Sequence, residues 1–211
     1  MKSKLDIASW DLSDLYPSIE SEEIVLELNK IKEQISFFVK EYRNKIKSLN
    51  SKSFYESILN YEKINQRVEK INSYIDLVTS ENLLDDCVSK KSFFIKEKIN
   101  EYATQLVFFK LEINKISTTK LNKLTKYAEL SKYKELLINL RNLKDYHLDE
   151  SLEKLYLEKR TTGRNSWVRL FDETLASFEV LIDKKKHTLD EALDMMSSSF
   201  VCDVRKEAGI K

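Results

Sequence analysis

Hydrolytic or group-transfer chemistry needs particular side chains at particular spacings, and the sequence offers few candidates. Metal-assisted hydrolysis typically uses two histidines one helical turn apart with a glutamate between them. The chain has only His147 and His187, far apart, and neither has a second histidine at helical spacing. Both read as surface or capping histidines. A Cys–His nucleophile would need Cys87 or Cys202 to meet a histidine in space, and neither thiol has an activating neighbour. Both are expected to be buried, reduced thiols. The pairs Glu22-Glu23 and Asp85-Asp86 point to different sides of a helix and read as solvated. Gly163 and Gly209 are the only glycines, too few for a phosphate-cradling loop. Lys184-Lys185-Lys186 reads as a solvated basic turn. No set of residues reads as catalytic or metal-binding, and no substrate-binding residue can be named.

Composition narrows the architecture that could position any site. The chain has 211 residues, of which 2 are Gly and 1 is Pro. Sheet folds need a turn every dozen residues or so, and turns use Gly and Pro, so all-β and Rossmann-type folds are excluded. Charged residues make up 34% and apolar residues 42%, too apolar for disorder and too charged for a membrane protein. A net charge of +1 supplies no field for nucleic acid or an anionic membrane, so neither is expected as a partner. Met1-Lys2-Ser3-Lys4 leads into acidic sequence with no apolar run behind it, so no secretory signal is expected and the location is expected to be cytoplasmic.

The fold class expected is mainly α: three long antiparallel helices, then shorter helices and one small β-hairpin. Residues 1–20 form an N-terminal arm holding Trp10-Asp11-Leu12-Ser13-Asp14-Leu15-Tyr16, with Pro17 after it and a helix start at Ser18 and Glu20. Residues 21–116 form a three-helix unit. Its first stripe runs from Ile24 to Leu49, about 40 Å at 1.5 Å per residue. Its second starts at a capping box of Ser53 and Glu56 and runs from Phe54 to Val78; its third runs from Leu84 to Ile116. Short polar links between them predict antiparallel stacking. Residues 117–211 hold helices over 118–127, 130–145, 149–160 and 164–177. Asp149 is placed to cap the third of these, with Glu150 and Glu153 in its first turn. A hairpin over 178–188 turns on Asp183 to Lys186, and Thr188 with Glu191 is a capping box for one more helix.

The most distinctive segment is Thr161-Thr162-Gly163-Arg164-Asn165-Ser166-Trp167-Val168-Arg169-Leu170-Phe171-Asp172-Glu173. By spacing, Thr162 caps a helix on which Trp167, Leu170, Phe171, Thr174 and Leu175 face a core. Arg164, Arg169 and Asp172 are left for polar contacts, and Trp167 is expected to be a structural anchor.

The segment resembles the Thr-Gly-x-x-x-Trp-x-Arg-Leu-Phe-Asp-Glu motif of the oligoendopeptidase F group of M3 zinc metallopeptidases, matched at Thr162, Gly163, Trp167, Arg169, Leu170, Phe171, Asp172 and Glu173. Trp10, Asp11, Leu12, Leu15 and Tyr16 resemble that group's N-terminal opening. His147, Glu150 and Glu153 resemble its His-x-Leu-Ser-Glu-x-x-Glu segment, although His147 abuts Leu148 and Asp149 stands for the serine. Leu189-x-Glu191-Ala192-Leu193 and Val204-Arg205-Lys206-x-Ala208 resemble the stretch leading into the catalytic domain. The resemblance implies an N-terminal helical half that walls and covers a peptide channel. The family's zinc site, a His-Glu-x-x-His helix with a downstream Glu, lies in the C-terminal half, and no position here matches it. The sequence is therefore expected to stop before the catalytic domain, to hold no cofactor itself, and to be inactive alone. Zinc is expected in the full-length protein. The expected partner is the catalytic half, on the same or a separate chain, with peptide substrates bound only in its presence. From the stripes alone, a free-standing helical bundle serving protein–protein interaction is the alternative.

Overall fold

The computed structural model describes residues 10–182 and 184–210. The opening Met1–Lys4 and the hairpin residue Asp183 lie outside the described residues. The architecture is mainly α, with long antiparallel helices followed by shorter ones and a single two-stranded hairpin among the described residues.

Helix α1 (Glu22–Tyr42) begins three residues later than the spacing of Ser18 and Glu20 suggests. Residues 18–21 form a turn closed by Ser21 N–H on the Ser18 carbonyl. Ser21 then caps the helix by accepting from Glu23 N–H at 3.1 Å. Ile24, Leu28, Ile31, Ile35, Phe38 and Tyr42 are buried along one face. The helix does not continue to Leu49. Asn44 takes φ of 64°, a left-handed conformation that Asn tolerates and a helix cannot contain. Its N–H is held by Glu112 Oε1 at 2.7 Å, and a short 3-10 turn, Ile46–Ser48, returns Ile46 to the core.

Helix α2 (Ser51–Glu81) runs back against α1, with Arg67 paired to Glu27 and Asn60 donating to the Tyr42 hydroxyl at 3.0 Å. Its cap is Asn50, which accepts from Ser53 N–H at 2.9 Å, so the expected Ser53–Glu56 capping box lies within the helix and is not its start. The third stripe divides into α3 (Asp86–Thr104), capped by Asp85, and α4 (Val107–Asn114). At the break, Gln105 and Leu106 bond three residues back instead of four, and Thr104 Oγ1 takes the Asn100 carbonyl at 2.6 Å. The redirected chain buries the adjacent Phe108 and Phe109 together. Phe38 packs beside both, at 6.0 and 5.1 Å between ring centroids, and beside Tyr42 at 4.8 Å.

The core passes residue 116 without interruption through Leu121 in α5 (Thr118–Leu124), Leu130 and Tyr133 in a 3-10 stretch, and Leu137 in α6 (Lys134–Asn142). A 3-10 turn (Lys144–Tyr146) leads to α7 (Glu150–Thr162) and α8 (Arg164–Ser177), and neither α7 nor α8 contains a buried residue. Strands β1 (Glu179–Ile182) and β2 (Lys185–Thr188) pair antiparallel, Val180 opposite His187 and Ile182 opposite Lys185. Lys185 and Lys186 thus belong to a strand and not to the turn. Thr188 and Glu191 form the expected capping box of α9 (Leu189–Ser198), and α10 (Cys202–Ile210) follows. Val180, Ile182 and Ala192 make a second small core. Cys87 and Cys202, expected to be buried, are both exposed.

Gly163 joins α7 to α8 at φ −97° and ψ −108°, and a Cβ there would lie 2.8 Å from the Lys159 carbonyl oxygen. The expected cap Thr162 is instead the last residue of α7, and α8 has no side-chain cap. Gly163→Ala should cost about 1–3 kcal/mol, the order of a locally strained backbone residue. Amide hydrogen exchange should speed up in α8 while the α1–α2 amides stay unchanged. Phe38→Ala should remove about 3–5 kcal/mol, the usual cost of truncating a core aromatic, and lower the urea midpoint accordingly.

Candidate functional site

The segments carrying the distinctive motifs are positioned by polar contacts. Asp149 starts α7 by accepting from Ser151 N–H at 3.0 Å and Leu152 N–H at 3.1 Å. The Ser151 hydroxyl and these backbone donors hold its carboxyl below the usual aspartate range. Glu150 binds Arg43 beyond the end of α1 and Lys154 one turn on, at 2.7 Å for the latter. Partial burial pushes its carboxyl up, but the two cations outweigh it and the net direction is down. Glu153 Oε1 accepts from Leu148 N–H at 3.0 Å and lies 3.4 Å from His147 Nδ1. His147 and Glu153 are therefore brought together at the entry to α7, and Glu150 clamps that entry to Arg43 beyond the end of α1. His147 Nε2 is enclosed with no hydrogen-bond partner among the described residues.

Farther along, Asn100 of α3 donates to the Leu157 carbonyl at 3.0 Å and to Thr161 Oγ1 at 3.3 Å. The Arg169 guanidinium sits 5.5 Å from the centre of the Phe93 ring, and its Nε lies 3.5 Å from Glu173. Ser89 donates to Glu173 at 3.4 Å. The face of α8 turned to α3 is therefore the one carrying Arg169 and Glu173, with Asp172 half-buried between. Trp167, Leu170 and Phe171 lie on the other side, 72%, 53% and 61% exposed, with Thr174 and Leu175 also exposed. The expected core stripe and the buried Trp167 anchor are both corrected. Periodicity shows that one face of a helix is apolar; it does not show whether that face meets this chain or another surface. On α7 likewise, Leu152, Leu155 and Tyr156 are exposed while Glu150, Glu153 and Thr161 turn inward.

The other motif residues serve a different place. Asp11 accepts from Ser13 N–H at 3.0 Å, and the Ser13 hydroxyl and backbone lower its carboxyl. Leu15 and Tyr16 N–H both reach the Leu12 carbonyl, and Leu12 and Leu15 pack on the core. Tyr16 is buried edge-on to Tyr74 of α2, and burial, aided by Glu27, pushes its phenol up to about 12. Trp10 is exposed. The segment is thus docked by Tyr16 on α2 and is not part of the α7–α8 pair.

Arg43, Phe93, Asn100 and Glu112 were missed by sequence reasoning. Each acts on a partner distant in the chain, and the only local sign is Asn100 sitting beside the buried Ile99. The histidines each approach a glutamate, His147 near Glu153 and His187 near Glu191 at 3.4 Å. Among the described residues no group of three or more His, Cys, Asp or Glu is placed to hold a metal ion. No described helix is long and apolar enough to cross a membrane.

Residues 112–179 match the peptidase M3 N-terminal family model, described as oligopeptidase F. No curated protein and no solved structure matches the chain. The matched residues run from Glu112, which holds the Asn44 turn, through His147 and both α7 and α8 to the first residue of β1. Over this segment the chain is similar to the N-terminal region of M3-family oligopeptidases.

Proposed function

We propose that this chain is the substrate-covering N-terminal part of a cytoplasmic, zinc-dependent oligoendopeptidase acting on short peptides. It does no catalysis itself and docks on a catalytic part through the outward apolar faces of α7 and α8. The observation that carries this reading is the orientation of Trp167, Leu170 and Phe171 inside the segment that matches the family model. Large exposed apolar side chains at helical spacing suit a contact with another folded surface, and aromatic residues there supply most of the binding energy. The catalytic part would bring the zinc ligands of the His-Glu-x-x-His helix and the peptide-cleaving site. This chain would bring the cover that limits substrates to short peptides.

Mixing the chain with a separately produced His-Glu-x-x-His part should give a complex with peptidase activity. Trp167→Ala should weaken that complex about thirtyfold, the scale of a hot-spot residue of about 2 kcal/mol. Its own unfolding midpoint should hardly move, because the side chain is already exposed. A midpoint that drops sharply with unchanged binding would overturn the docking role. Failure of any catalytic part to bind, with association of the chain only to itself, would favour the interaction-module reading. Metal analysis of the chain alone should find no stoichiometric zinc, since tight zinc needs three or four converging donors. One tightly held zinc per chain with chelator-sensitive cleavage would contradict the division of labour.

A further inference from the structure

The apolar core of the long helices extends from Tyr16 to Leu137, and α7 and α8 contribute no buried residue to it. Of the apolar residues in these two helices, only Leu157 and Ala176 are even half-buried. The side chains that turn inward include Glu150, Glu153, Lys154, Thr161, Asp172 and Glu173. Little apolar area is therefore returned to water when the pair separates from the long helices. Regions with few buried apolar contacts open at a low cost.

Charge supplies much of what opposes separation. Arg43 is held against the core, its guanidinium 5.5 Å from the centre of the buried Phe108 ring, and it pairs with Glu150 at the start of α7. On α8, Arg169 lies on the Phe93 ring of α3. The Arg43 and Glu150 side chains are 34% and 32% exposed and that of Arg169 is 47% exposed, so salt reaches both contacts. Asn100 adds uncharged bonds to the Leu157 carbonyl and Thr161, which salt screens far less. Both ends of the pair run into exposed chain. Before α7, residues 143–146 are exposed and the hydrogen bonds are local, from Tyr146 N–H to the Leu143 carbonyl and from Leu148 N–H to Glu153. After α8, Ser177 and Phe178 are exposed, and β1 packs into the separate small core of Val180, Ile182 and Ala192.

We propose that α7 and α8 form an ionically latched arm that opens from the long helices as one unit while their core stays folded. Arg43–Glu150 is the latch at one end and Arg169 on Phe93 the latch at the other. The arm's helices have 13 and 14 residues, and isolated helices of that length are marginal in water, so an opened arm loses amide protection along both. The outward face carrying Trp167 is then presented only while the latches hold, and rising salt withdraws it. The proposal rests on how the arm is held to this chain and not on what docks upon it.

Hydrogen exchange of the full chain, compared at constant pH between low and high sodium chloride, tests this directly. Amides throughout α7 and α8 should speed up by a common factor of about threefold, the scale of losing one exposed ion pair, while α2 amides keep their rates. Arg43→Gln with Arg169→Gln should reach the fast rates already in low salt and respond little to more. Asn100→Ala should speed both helices at either salt and keep the salt response. Lys186→Gln, which removes an ion pair inside the hairpin, should change nothing in the arm. Protection of α2 reports that each variant is folded. Arm amides indifferent to salt, an equal increase in α2, an increase in α8 without α7, or a full salt response in the double arginine variant would each overturn the proposal.

Discussion

Asn100 reaches from α3 to the last turns of α7, and Arg169 lies on Phe93 while pairing with Glu173. The seating of the α7–α8 pair on the long helices is thus polar and cation–aromatic, and every other property of that pair follows from it. Two amphipathic helices that place their polar sides inward must place their apolar sides outward. Such an arrangement is stable within one chain only because the inward polar groups have partners, from Arg43 at the start of α7 to Ser89 beside α8. It leaves large apolar side chains of both helices facing water, the kind of surface that interaction sites present.

The long-helix part supplies the rigidity that this arrangement needs. Ile24 to Ile46, the Phe38 cluster and the aromatic pair Phe108–Phe109 bury the side chains that fix α1, α2 and α4 together. Glu112 then reaches the turn at Asn44, and the neighbouring Arg43 reaches Glu150. A tight core, a helix-ending turn and the start of α7 are therefore joined through consecutive residues. Partly exposed ion pairs of this kind contribute little to stability singly, so their use is in orientation.

Much of this was legible in the sequence. The stripes on α1 and α2, the cap at Asp149, the break at Gly163 and the capping box of Thr188 and Glu191 are local, set by residues within a few positions of one another. The division of the third stripe at Gln105 was not legible, because a break without Gly or Pro is decided by where Phe108 and Phe109 find a core. The fate of Trp167 was misread for a related reason: the spacing of an apolar face is the same whether its partner is inside the chain or outside it. The exposure of Cys87 and Cys202 was likewise invisible, since burial of a single small residue depends on the far side of the fold.

The central claim is that the apolar face carrying Trp167 is open in this chain and closed by a catalytic part. In a Trp10→Phe background Trp167 is the sole tryptophan, so its fluorescence reports that face alone. Acrylamide should quench it readily in the isolated chain, and adding a separately produced His-Glu-x-x-His part should shift its emission to the blue and protect it from quenching. A tryptophan already shielded in the isolated chain, or one whose emission and quenching stay the same when that part is bound, would contradict the account.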